Sequence, residues 1–218
     1  MRIVLLAAFL LVGSAVAAPF AIQLGDTRLG LDAPPGFADT GFTGSPRLQE
    51  LAESLTSASN RILMFAVTDA DLRRFTQGDP LEAKRYMVAV TPRGLERERI
   101  TAGSFTTFVN DSLRGLGAPA PAGTADYRKF LDAQGKPALL AELRRDPEAV
   151  SVLQGARLPS EGRSDTPKYM LTTTTLLLIR GKAINLGVFG AYDNPEDLDW
   201  IRVITARWIE ELQRLNSR

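Results

Sequence analysis

The chain has 218 residues with 26 basic and 25 acidic side chains, and it contains neither cysteine nor histidine. Without those two residue types, disulfides, Ser-His-Asp and Cys-His nucleophile systems, histidine-ligated haem and nearly all zinc sites are excluded. A net charge of +1 gives no reason to expect nucleic acid or an anionic membrane as a partner.

Residues 1–20, MRIVLLAAFLLVGSAVAAPF, read as an export signal. Arg2 is the positive start, 3–12 is an unbroken apolar run, and AVA at 15–17 supplies small side chains at the cleavage positions. Cleavage after Ala17 is expected, with Ala15 and Ala17 read by the peptidase and Ala18 the new N-terminus. The competing reading is an uncleaved anchor, but the apolar run is short for a span of about 20 residues. Residues 1–17 are therefore assigned to the signal and 18–218 to one globular domain. A periplasmic or secreted location follows as the expectation.

FAIQLGDTRLGLDAPPGF predicts a hairpin around Gly25-Asp26, then a turn at Pro34-Pro35-Gly36. In SPRLQELAESLTSASN, Ser45 caps a helix, Pro46 takes its first position, and Leu48, Leu51, Ala52 and Leu55 follow at helical spacing. RILMFAVT, 61–68, is apolar on both alternating sets, so helices should cover both faces of its sheet. RYMVAV, 85–90, is a second such strand, with a short helix in 69–78 between them. SFTTFVNDSLRG, 104–115, reads as a helix, and the small residues of 115–123 as a connection. TADYRKFLDAQG and KPALLAELRRD predict two further helices, capped at Thr124 and Pro137, as a helical insertion over 124–146.

The last third reads as strands and then a helix. AVSVLQGARL and YMLTTTTLLLIR are strands joined by the polar loop PSEGRSDTPK. Gly181-Lys182 is a two-residue turn of type II′, and AINLGVFGAY returns antiparallel. The run Thr172 to Thr175 is ordinary strand chemistry. Asp193, Glu196, Asp197 and Asp199 then crowd around Pro195. Helix initiation accounts for them: Asp193 or Asn194 as cap, Pro195 in first position, and acids in the first turn where the helix dipole favours them. The spacing of a calcium loop is absent. In the final helix Ile201, Ile204, Trp208, Leu212 and Leu215 form one stripe, which places Trp208 in a core, Trp200 at the stripe's edge and Val203 facing away.

The composition leaves carboxylate pairs, Ser-Lys arrangements and oxygen-ligated cations as possible chemistries. Ser164 and Lys168 miss the Ser-x-x-Lys spacing, and the glycine-containing stretches match no nucleotide fingerprint. No cofactor, metal or catalytic residue is indicated. The fold class is α/β (α+β): a three-layer α/β/α sandwich around a mainly antiparallel sheet, closed by a C-terminal helix.

The element order, with LGLDAPPGF near the start and INLGVFGAYDNPEDLDWI at the end, resembles the PsbP-like group. That group includes the plant photosystem accessory protein and small exported bacterial proteins. The resemblance implies a scaffold that assists or docks onto other proteins, and it transfers no functional residue. The expected function is an exported, periplasmic binding or accessory module of the cell envelope. Its expected partner is an envelope protein or small ligand, with no nucleic acid, and no membrane after signal removal. The alternative is an envelope hydrolase using carboxylates or a Ser-Lys pair.

Overall fold

The computed structural model describes residues 19–124, 126–159 and 166–217. Seven strands make one antiparallel sheet in the order β3-β4-β5-β9-β8-β7-β6, and a separate two-stranded hairpin, β1-β2, precedes it. β1 (Phe20–Leu24) and β2 (Thr27–Leu31) turn at Gly25-Asp26, as expected, with Gly25 at φ +56. A strand that the sequence reading missed, β3 (Phe37–Asp39), follows the Pro-Pro-Gly turn and pairs with the C-terminal part of β4 (Asn60–Thr68). Between them α1 (Pro46–Ser54) starts as expected, the Ser45 hydroxyl accepting the Leu48 N–H. α2 (Asp69–Thr76) leads to β5 (Arg85–Pro92), and α3 (Ala102–Leu113) follows.

The helical insertion is half right. α4 (Tyr127–Gln134) is a helix, capped by Asp126 rather than Thr124. The second segment is a strand, β6 (Ala138–Arg145), paired with β7 (Ala149–Arg157) at the sheet's edge. Its Ala, Leu, Glu and Arg residues favour a helix intrinsically, and tertiary pairing overrides that weak preference. Gly135 in the left-handed region and Pro137 just beyond it end α4 and release the chain into β6.

β8 (Tyr169–Ile179) and β9 (Lys182–Ala191) form the longest pairing in the sheet. Their turn is Arg180-Gly181, with φ +51 and +77. Two positive φ values are the mark of type I′, so the type II′ expectation at Gly181-Lys182 is corrected by one position.

The strand register carries one row of side chains across five strands: Phe65, Val88, Gly187, Thr174 and Val152. α1 and α2 cover this face near β4, around Phe65 and Val67. α3 covers it near β7 and β8, where Phe105 and Val109 meet Val150 and Leu176. On the opposite face lie α5 (Glu196–Leu215), α4 and the hairpin, over Met87, Leu153, Leu171, Ile184 and Val188. This is the expected three-layer sandwich. Trp208 is fully buried in that second layer and its Nε1–H donates to the Asp32 carbonyl at 2.8 Å, while Trp200 is only partly buried.

Candidate functional site

A cleft of about 730 Å³ runs along the outer edge of β4. It exists because β3 is short. β3 pairs with β4 only at Ala66, Val67 and Thr68. One further bond, from the Thr40 N–H to the Phe65 carbonyl at 2.7 Å, ends the contact. The chain then leaves the sheet through a 3-10 turn, Gly41–Thr43, with Gly44 at φ +61, and Ser45 starts α1. Residues 60–64 of β4 therefore form the cleft's floor, and among the described residues no strand pairs with them on that side. α1 provides one wall through Gln49, Ala52 and Glu53. On the departing turn Phe42 is 73% exposed.

Unpaired sheet edges invite indiscriminate pairing unless something blunts them. Here three features do so. The pairing of β4 with β5 slips by one residue between Ile62 and Met64, a bulge that bends the edge. Arg61 places a charge there, held by Glu96 and the Gln23 carbonyl. The Asp39 carboxylate accepts the Phe65 N–H at 3.3 Å, standing where a neighbouring strand's carbonyl would be. Burial raises the Asp39 pKa, and the backbone N–H groups of Gly41, Phe65 and Thr40 only partly offset this. At the far end Arg93 donates Nε–H to the Ala58 carbonyl and, among the described residues, makes no ion pair. The cleft thus has a carboxylate at one end and an unpaired guanidinium at the other. Its second acid, Glu53, is exposed and accepts from Gln49, and no lysine lines it. Geometry for acid–base or nucleophilic chemistry is not assembled there.

The residues singled out from the sequence lie elsewhere. Ala15, Ala17 and Ala18 fall outside the described residues, as does Ser164, and Lys168 is exposed. The acidic cluster is built into a helix start. Asp197 is buried and accepts the N–H groups of Asp193 and Asn194 at 2.9 and 3.0 Å, and Arg85 donates to its other oxygen at 2.8 Å. Burial alone would raise its pKa, but these donors together lower it below the usual carboxylate value. Asn194 caps the Glu196 N–H, and Asp199 faces Arg202. Among the described residues no three His, Cys, Asp or Glu side chains are placed to share a metal ion.

Lys182, which the sequence reading passed over as a turn residue, is 1% exposed. Its ammonium donates to the carbonyls of Glu96 and Glu98, at 3.3 and 2.9 Å, and lies 3.4 Å from Asp26. It ties the loop after β5 to the hairpin. Between the two helical covers, Phe189, Thr172, Thr174 and Gln154 form a half-exposed uncharged strip, with Phe189 stacked on Tyr86 at 4.5 Å.

No family model and no curated protein matches the chain. Among solved structures it aligns with the Saccharomyces cerevisiae Ran-binding protein Mog1p and with a glutamate-to-alanine mutant of protein Mog1. Each is 10% identical, at a TM-score of 0.40, over 91% of this chain and 94% of the other. At that score the likeness lends no function to this chain. The expectation of a periplasmic envelope module, with an envelope hydrolase as alternative, has no counterpart among these matches, which are structures of a Ran-binding protein, and it is not carried forward. Among the described residues the buried lysine, Lys182, is held by backbone carbonyls and not by a serine. No helix among the described residues is long and apolar enough to cross a membrane.

Proposed function

We propose that this chain is a polypeptide-binding module and that the cleft beside β4 receives an extended segment of a partner protein. The observation that carries this reading is the unpaired stretch 60–64 of β4 on the floor of a cleft. Backbone N–H and C=O groups on such an edge supply affinity for any extended chain, and flanking side chains supply selectivity. Phe42, exposed in the turn between the cleft-lining Gly41 and Gly44, supports the reading, because aromatic residues are enriched where partners dock. The PsbP-like resemblance, offered on element order and two short stretches, points towards docking as well.

The test is selection from an unbiased peptide library, followed by amide hydrogen exchange of the complex. Selected peptides should slow exchange at one or more amides within 61–64, and Phe42→Ala should weaken them. Selection of no peptide, or protection confined to other strands, would refute the reading.

A further inference from the structure

Resting on that docking reading, we infer that the incoming segment pairs with β4 at one residue, Ile62, and is recognised by a single apolar side chain seated against Ile62 and Ala52. In a β-strand the N–H and C=O of one residue point to the same side, and those of the next residue to the other. The Arg93 N–H bonds to the Ser59 carbonyl, and Asn60 stands opposite Pro92, which has no N–H to give. Residues 59 and 61 therefore turn towards β5, while Asn60 and Ile62 turn outwards. The bulge between Ile62 and Met64 shifts this alternation by one position, so Phe65 faces outwards, as its bond from Thr40 shows.

Most of these outward groups already have partners. The Asn60 N–H donates to the Ser57 carbonyl at 2.9 Å, the Phe65 N–H donates to Asp39, and the Phe65 carbonyl accepts from Thr40. Ile62 keeps both its N–H and its C=O, with no partner for either among the described residues. A guest residue directly opposite Ile62 shares its face of the sheet. That face is the one α1 covers: Ile62 packs on the cluster of Leu48, Ala52 and Phe65, whereas Leu63 and Met64 belong to the core on the other side. Ala52 is the one apolar residue that α1 gives to the cleft, between Gln49 and Glu53. An aliphatic side chain suits that seat. A carboxylate would be set against apolar groups on a wall that already carries Glu53.

The test uses the unmodified chain, labelled with nitrogen-15, so no variant has to fold. In the free protein the Ile62 amide should exchange with solvent about ten-fold faster than those of Arg61 and Met64, which face β5. The probe is the pentapeptide acetyl-Ser-Thr-Val-Thr-Ser-amide, in which valine alone can take the seat. At millimolar concentration it should shift the Ile62 amide resonance and slow its exchange. Replacing the valine by aspartate should weaken binding at least ~ten-fold, the worth of burying one aliphatic side chain. N-methylation removes one donor at a time. It should cost about three- to ten-fold at the valine if the guest runs antiparallel to β4, or at the next threonine if it runs parallel. An Ile62 amide as protected as Met64 in the free chain, no shift with the valine peptide, or equal binding of the aspartate peptide would each overturn the inference. If library-selected peptides then still protect Arg61, Leu63 or Met64, the docking reading stands and only the seat at Ile62 falls. If no peptide protects any amide of 61–64, both fall.

Discussion

Replacing Trp208 measures whether α5 covers the sheet as a core element. Its side chain is fully buried, and its indole N–H donates to the Asp32 carbonyl in the segment that follows the hairpin. Trp208→Ala should destabilise by roughly 3–5 kcal/mol, the range for deleting a large aromatic from a core. Trp208→Phe keeps one aromatic ring in the core but removes the donor and part of the apolar volume, so its effect should be smaller than that of alanine, about 1–3 kcal/mol. Trp200 is the internal control. It stacks on Phe37 at 6.3 Å between ring centres, and Arg85 lies 4.1 Å above it, but it stays partly exposed. Trp200→Ala should therefore be nearer ~2 kcal/mol. Urea denaturation of the four proteins, with unchanged m values, gives the three differences. A domain is stable by about 5–15 kcal/mol, so the alanine variant can be close to unfolded and the phenylalanine variant keeps the series measurable. Equal small losses at both tryptophans would refute the packing of α5 against the sheet.

Three other perturbations separate roles assigned above. Asp197 has a lowered folded pKa, so its contribution is present above the unfolded value of about 3.9 and is lost as pH falls through the folded value; Asp197→Asn should flatten the acid limb of a stability–pH curve, and an unchanged limb would refute the capping role. Calcium or magnesium should leave the wild-type melting temperature unmoved, since a site filled at 100 times its dissociation constant would add about 2.7 kcal/mol. A Cβ at Gly155 would lie 2.8 Å from Leu131 and 3.1 Å from Leu140, both buried, so Gly155→Ala should destabilise by ~1–3 kcal/mol, and more than Gly190→Ala, where the obstructing Trp200 ring is partly exposed and can shift. Export, proposed from residues 1–17, predicts an intact mass beginning at Ala18, and a chain retaining Met1 in the membrane pellet would refute it.

The elements that could be read in the sequence are those whose local chemistry and tertiary role agree. Ser45-Pro46 opens α1, the doubly apolar run of β4 is buried on both faces, and the α5 stripe buries Trp208 while leaving Val203 exposed. The misreadings arose where the two disagree. β6 is written in helix-forming residues and becomes a strand because β7 offers it an edge. β3 is only three residues long, too short for any periodicity to show. The β8–β9 turn slipped by one because Arg180, and not a second glycine, takes a positive φ.

Brevity in β3 is also why the cleft was illegible. The densest chemical residues, from Asp193 to Asp199, are consumed in starting a helix, and a buried lysine is consumed in holding a loop. The candidate site instead consists of what β3 fails to cover: backbone groups on β4, and two charges from segments 54 positions apart, Asp39 and Arg93. None of these has a sequence signature, since an unpaired edge is a property of the neighbouring strand's length. Exposed Phe42, between Gly41 and Gly44, is the nearest thing to a signal. An aromatic residue within a glycine-bounded turn has no apolar periodicity to join, so the local sequence offers it no core, and its ring stays in solvent.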